Sequence, residues 1–443
     1  ASLIPARKPM PTHPVACPDC DLLLAYSASL ARHTLRCPRC GCTVHRRADT
    51  SVDTALAFSI TGLLLYLPAM LFPLMTLETL GMSDSGSVLD TLVGFYANRY
   101  YFVAFIVLVS AVVFPLLLLS LIFTVTMFAR RGRYPVFLTR LLRLYVFLEE
   151  WAMIEIFLLG IMITIMKMRH TAEIHFDPGF YCFLALVLTT MAIATVLDRE
   201  RLWALLSRPG TTAPIPSPVA AAGTPSRTAL QAGLVLCHVC RQLEKRRSAA
   251  VPIRCRRCGA TIHDRKPDSI AHTWALVLTS TLLLIPANIL PIMQVEFLGV
   301  PENSTILDGI MYFFKDGSYL IGLIILTASV FVPVFKIIGL IILLVTAQTN
   351  HNGYLRSKTM LYRFIAFIGR WSMLDIFVIA LLVVLVDFGF LTSIHAAPAA
   401  PYFCIVVTST MLAAKTFDAR LIWDRQPTAE KAISPIPVAK EAS

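Results

Sequence analysis

The chain has 443 residues, of which 56% are hydrophobic and only 15% charged, with mean hydropathy +0.70 and a formal net charge of +12. Soluble chains carry about 25% charged residues, so the several soluble domains ordinarily expected at this length are excluded. The positive balance does not indicate nucleic acid either. The basic residues flank long apolar tracts, as they do in the short loops of membrane proteins, where anionic lipid headgroups draw on the same charges.

The segment ahead of Cys17 lacks an apolar core, so no cleavable signal peptide is expected. Residues 1–50 carry a cysteine module. A first knuckle, Cys17-Pro18-Asp19-Cys20, is followed at ribbon spacing by a second, Cys37-Pro38-Arg39-Cys40-Gly41. Four thiolates on two tight knuckles close a tetrahedral shell around zinc, and a rubredoxin-like iron site uses the same ligands. A closed shell leaves no position for catalysis. Disulfides do not suit a reducing compartment.

Residues 51–206 are expected to form a first membrane unit of about four helices, near 53–74, 100–128, 138–168 and 179–203. Phe102 to Phe128 contains no charge, and apolar runs of about 18 residues or more mark membrane helices. Pro68 and Pro73 are expected to break the last turns of the first helix. Residues 207–232 read as a Pro-, Ala- and Ser-rich linker.

The pattern then repeats. Residues 233–266 hold Cys237-His238-Val239-Cys240 and, at similar spacing, Cys255-Arg256-Arg257-Cys258-Gly259. Two zinc ions per chain are therefore expected. Residues 267–425 form a second unit, with helices near 270–293, 319–347, 360–388 and 400–423. At an offset of 218, Leu65 to Pro73 meets Leu283 to Pro291, Ser87-Val88-Leu89-Asp90 meets Thr305-Ile306-Leu307-Asp308, and Pro115 meets Pro333. After a two-residue slip, Trp151 to Glu155 meets Trp371 to Asp375, and Asp198 and Trp203 meet Asp418 and Trp423. Residues 426–443 read as a disordered tail. Basic segments such as Arg130 to Arg133 contrast with residues 75–100, where Arg99 is the single basic residue. This asymmetry predicts cytoplasmic termini and cysteine modules, and parallel repeats. The fold class is an all-α polytopic membrane protein of two tandem repeats.

Polar residues inside apolar helices are the candidate functional groups. Lys336 follows Pro333 by three positions on one helix face, and its counterpart is Leu118, so the repeat does not require a lysine there. A membrane-depth lysine reads as functional, with a structural ion pair as the alternative. Asp375 is its expected partner, and Glu155 is the equivalent acid. Glu150 and Arg370 occupy matching positions with opposite sign. They either pair across the units or anchor the inner interface. Lys167 reads as a site residue or as a snorkelling one. Asn288, between Pro286 and Pro291, serves a site at an unwound stretch or satisfies a freed backbone group. Thr410, with Thr189, Thr190, Thr408 and Ser409, lines a polar path or bonds its own helix. Cys182 and Cys404 read as small core residues. No nucleotide loop, nucleophile elbow or His-rich catalytic site is found, and no enzyme activity is expected.

These features resemble the paraquat-inducible protein A family, which includes the LetA proteins, over nearly the full length. The two cysteine modules, Leu283 to Met293, Gly369 to Asp375 and Thr416 to Asp424 carry the resemblance, and they look closer to the paraquat-inducible A branch. The resemblance implies a bacterial inner-membrane protein that works with an MCE-family periplasmic tunnel protein in phospholipid trafficking and envelope integrity. A membrane redox or stress-response enzyme and a purely structural anchor are the competing functions.

Overall fold

The computed structural model describes residues 12–27, 34–45, 52–79, 82–97, 101–149, 151–168, 173–206, 228–246, 253–297, 300–315, 317, 319–349, 353–374, 377–378, 392–424 and 440–441. The first cysteine module is a pair of hairpins, β1 (Thr12–Ala16) with β2 (Leu23–Ser27) and β3 (Leu35–Arg36) with β4 (Thr43–His45). The first membrane unit opens with α1 (Val52–Leu71), followed by β5 (Met75–Thr79), β6 (Met82–Gly86) and α2 (Val88–Ala97). Its long second helix comprises α3 (Tyr101–Val107), a π-helical stretch over Leu108–Val113 and α4 (Phe114–Arg130). Then come α5 (Phe137–Leu148), α6 (Ile154–Met168), β7 (Glu173–Phe176), α7 (Pro178–Val196) and α8 (Arg199–Leu206).

The second copy repeats this order. Hairpins β8 (Leu234–Leu236) with β9 (Leu243–Lys245) and β10 (Ile253–Arg254) with β11 (Thr261–Ile262) build its ribbon. The unit continues with α9 (Ser269–Ile289), β12 (Met293–Phe297), β13 (Val300–Ser304) and α10 (Ile306–Lys315). Next are α11 (Tyr319–Leu326), a π-helical stretch over Thr327–Phe331, α12 (Val332–Gln348), α13 (Leu355–Gly369), β14 (Thr392–Ala396), α14 (Ala399–Thr416) and α15 (Leu421–Asp424). In the tail, Lys440 and Glu441 form β15 beside β3.

Among the described residues, six helices are long and apolar enough to cross a membrane, three per unit. In the first unit α1 packs against α7 and α4; in the second α9 packs against α14 and α12. The third predicted helix is not continuous. Residues 138–168 divide into α5 and α6 around Glu149–Met153, where Trp151 N–H and Ala152 N–H both turn back to the Leu148 carbonyl. Glu149 is held there by an ion pair with Arg199. A hydropathy average runs across this break because the residues on both sides are apolar. At 12 residues α5 rises only about 18 Å, too little for a hydrocarbon core of about 30 Å. Its buried side is Leu138, Leu142, Tyr145 and Leu148, with Arg140 and Arg143 interleaved. In the second unit α13 passes into a 3-10 turn over Arg370–Met373.

The first helices also depart from expectation. α1 and α9 run through Pro68 and Pro286 and end one turn later. A proline that close to a helix end removes a single ladder bond, and the chain leaves the helix before Pro73 and Pro291 instead. Asn288 accordingly sits on intact helix, with its amide donating to the Leu284 carbonyl at 2.8 Å.

The prolines of the second helices act differently. Pro115 and Pro333 each follow a π-helical stretch. The ring lacks an N–H and clashes with the carbonyl four residues back, and a wider turn removes that clash. The Tyr66 hydroxyl donates to the Val112 carbonyl at 2.8 Å within the first of these stretches.

A further element was not expected. After each first helix the chain forms a small antiparallel sheet, in the order β6-β5-β7 and β13-β12-β14. His175 lies opposite Thr76 and His395 opposite Gln294, the same register in both. Ser87 with Asp90, and Thr305 with Asp308, form reciprocal capping boxes at the starts of α2 and α10. The recurrent Ser/Thr-x-x-Asp of the sequence is thus a helix-start signal.

Gly179 seats α7 on the end of the first helix. A Cβ there would lie 2.3 Å from the Pro73 carbonyl oxygen and 2.5 Å from that of Phe72. Gly179→Ala is expected to lower stability by about 1–3 kcal/mol through overpacking. Gly309→Ala, in α10 with nothing within 4 Å, is expected to be neutral or slightly stabilising. Thermal unfolding of the two variants in detergent checks the contrast.

Candidate metal centres and buried lysine

Each cysteine knuckle folds back through a backbone bond. Asp21 N–H donates to the Cys17 carbonyl, Gly41 to Cys37, Arg241 to Cys237 and Gly259 to Cys255, at 2.8–3.0 Å. The four donors have φ of 61°, 74°, 56° and 71°. Glycine takes that left-handed conformation freely in the second knuckle of each module, while Asp21 and Arg241 hold it in the first. The turn aims all four thiols inward. Sγ atoms of Cys17 and Cys40 lie 3.4 Å apart, Cys20 and Cys37 3.6 Å, and both pairs of the second module 3.5 Å. Within each module all four sulfurs lie within 4.8 Å of one another, and all eight cysteines are buried.

This geometry fits a metal. A tetrahedral four-thiolate shell at about 2.3 Å from the ion separates its sulfurs by about 3.8 Å, close to what is observed. A disulfide needs about 2.05 Å. Hydrogen bonding from Cys20, then Cys37, holds the Cys17 thiol down to about 5, and the same contacts push Cys20 up. These contacts favour thiolate, the form that binds metal, at Cys17 and the protonated thiol at Cys20. Cys42 stands outside both shells and donates to the Thr43 carbonyl.

The ribbons are seated crosswise. The first shares its core with the second membrane unit, where Cys17, Cys20, Cys37 and Cys40 pack with Leu340, Leu355, Phe417 and Trp423. Arg363 of α13 donates to Asp19 at 2.6 Å, to the Cys40 carbonyl at 3.0 Å and to Cys40 Sγ at 3.2 Å. Arg39 stacks over the Trp423 ring at 4.3 Å. The second ribbon shares its core with the first unit, where its four cysteines cluster with Leu142, Tyr145, Trp203 and Leu206. Arg257, the counterpart of Arg39, donates to the Trp203 carbonyl at 3.0 Å. The two ribbons also touch each other. Asp21 accepts from Leu230 N–H at 3.3 Å and from Arg265 at 3.0 Å, and Arg265 also binds Asp424. Burial pushes the Asp21 carboxyl up, and Arg265 opposes that shift.

Lys336 is wholly buried on α12 and donates to Thr410 Oγ1 on α14 at 2.7 Å. Thr410 in turn donates to its own Val407 carbonyl. The expected partner Asp375 lies outside the described residues, as does Glu150. The backbones of Lys167 and Arg370 are placed in α6 and the 3-10 turn, but their side chains lie outside the described set. Glu155 occupies the first turn of α6 and forms no hydrogen bond or ion pair among the described residues. Thr189, Thr190 and Thr408 bond carbonyls of their own helices. The units meet where Phe157 packs edge-on to Phe377 at 5.4 Å and Lys415 lies 3.9 Å from the Trp151 ring centre. Sequence reasoning missed Asp19, Asp21, Arg265 and Arg363. An acid at the knuckle position where the module's second knuckle has Arg39 could have flagged Asp19, but nothing in the sequence tells which helix receives a ribbon.

Two helical membrane units, each headed by a four-thiol ribbon, define a duplicated multi-pass membrane protein with metal-binding modules. The chain belongs to the paraquat-inducible protein A family, whose sequence pattern, described as Paraquat-inducible protein A, matches residues 52–207 and again 270–426. It is 32% identical to the intermembrane transport protein PqiA of Escherichia coli K12, over 94% of this chain and 97% of the relative. It is 30% identical to the lipophilic envelope-spanning tunnel protein A of the same strain, over 92% and 90%, and 26% identical to a probable intermembrane transport protein of Haemophilus influenzae, over 92% and 95%. No solved structure matches.

Elemental analysis of the purified chain is expected to give two metal ions, and Cys37→Ser or Cys255→Ser to leave one. Arg265→Met strands a buried Asp21 carboxylate and is expected to cost about 3–5 kcal/mol. Adding Asp21→Asn is expected to recover most of the loss in thermal unfolding.

Proposed function

We propose that this chain is the inner-membrane subunit of an intermembrane lipid-trafficking system. It loads phospholipid into, or removes it from, an MCE-family periplasmic tunnel protein and so supports envelope integrity. Both ribbons lie on the cytoplasmic side, each closed around structural zinc. The names of the full-length relatives support intermembrane transport, and the lysine and arginine asymmetry supports the orientation.

The observation that carries the reading is Lys336. An ammonium at membrane depth costs about 2.5–3.5 kcal/mol on insertion scales. It is enclosed by apolar helices and held by Thr410. The repeat supplies the comparison: Leu118 and Thr190 occupy the same places in the first unit, where Thr190 serves only its own helix. The second unit therefore carries a polar device that the fold does not need. It acts on a headgroup or a proton during transport, with Asp375 as its acid.

The test is complementation of an envelope-sensitive strain lacking the gene. Lys336→Leu is expected to abolish resistance, while Leu118→Met keeps it. Adding Asp375→Leu is expected to restore abundance without restoring resistance. Full resistance of Lys336→Leu at normal abundance overturns the reading.

A further inference from the structure

The two ribbon seats are built on one plan, yet they differ at one contact. Arg143 of α5 and Arg363 of α13 are repeat equivalents, each standing the same number of positions ahead of the matched tryptophans Trp151 and Trp371. In the second unit Arg363 is neutralised by Asp19, the third residue of the first ribbon's leading knuckle. The same knuckle position in the second ribbon is Val239. Arg143 thus faces its ribbon without the carboxylate that its counterpart has, and among the described residues neither Arg143 nor Arg140 forms an ion pair.

The missing contact coincides with a cavity. About 770 Å³ opens between α5 and the second ribbon, lined by Arg140, Arg143, His238, Val239, His263 and Lys266. That volume falls in the range of small-ligand sites. Arg420 also borders it, but is neutralised by Asp418 at 2.8 Å. Lys266 directs its ammonium to the carbonyls of Lys415 and Phe417. The lining contains no acid. On the α5 side the wall is apolar, with Leu144, Val146 and Phe147, and Phe147 is 62% exposed.

From this we infer that the cleft between α5 and the second ribbon binds an anionic phosphate group, which stands on Arg143 where Asp19 stands on Arg363. The ligand class is a phosphate mono- or diester of net negative charge. Arginine presents a planar fork suited to phosphate oxygens, and the apolar wall beside it suits an acyl chain from the ribbon-side leaflet. The site lies at the opposite end of the units from the small sheets, and it is independent of Lys336 and of the transport reading.

The experiment uses the full chain in a neutral maltoside detergent, titrated calorimetrically with dihexanoyl phosphatidylglycerol, dihexanoyl phosphatidylcholine and inorganic phosphate. Phosphatidylglycerol is expected to bind and phosphatidylcholine to bind at least tenfold more weakly. Arg143→Ala is expected to weaken phosphatidylglycerol at least tenfold. Val239→Asp, which copies the first ribbon's own knuckle, is expected to do the same while the chain keeps both metal ions. If Arg143→Ala yields no folded protein, Val239→Asp alone decides. Competition by inorganic phosphate at similar concentration supports the site and assigns it to a free anion; failure to compete supports it and assigns it to lipid. Unchanged phosphatidylglycerol affinity in Val239→Asp, or no binding of phosphatidylglycerol or of inorganic phosphate to the unmodified chain, overturns the proposal.

Discussion

The arrangement of this protein depends on the crosswise seating of its ribbons. A four-cysteine module of this size has almost no apolar core beyond its metal shell, and such modules draw their folding energy from the ion. Here the knuckles also pack against the ends of membrane helices, so that cysteines, Trp423 and Phe417 share one buried cluster and the second ribbon's cysteines share another with Trp203. Neither ribbon is an appendage. Each closes the end of the unit that the other copy contributed, and the Asp21–Arg265–Asp424 cluster ties the two closures together.

Duplication then lets the two halves diverge without losing the scaffold. The π-helical stretches, capping boxes, small sheets and tryptophan seats are kept in both copies. What differs is charge placement. The second unit has Lys336 where the first has Leu118, and the first ribbon has Asp19 where the second has Val239. A symmetric pair of units has no reason to treat its two halves differently, and these substitutions supply one.

Much of this was legible in the sequence, because periodicity and spacing are local signals. The cysteine spacing marked both four-thiol clusters, and the internal repeat marked both units and three of the four apolar helices in each; residues 379–388 of the second unit's other expected helix lie outside the described ones. The divided third helix was not legible. Apolar residues on both sides of Glu149 hide a break that becomes visible only when Arg199 is brought to it. The small sheets were missed for a related reason, since β5 pairs with β7 across most of the unit and such short strands carry little pattern of their own. Continuation of α1 and α9 through Pro68 and Pro286 depends on how near a helix end lies, which spacing alone does not decide. The Lys336–Thr410 bond joins residues 74 apart, and helix-face periodicity cannot choose among several threonines.

The crosswise seating also orders events during synthesis. Asp19 meets Arg363 across 344 residues. At about 5–20 residues per second, roughly 20–70 s separate the emergence of the first ribbon from that of its seat. For that interval the ribbon's apolar side has no helix to cover it. The second ribbon faces no such delay, because the first unit has already been made when its cysteines emerge. Two modules that share one ligand chemistry are therefore unequal on the ribosome. The amino-terminal one waits for its seat, and the second finds its seat already made.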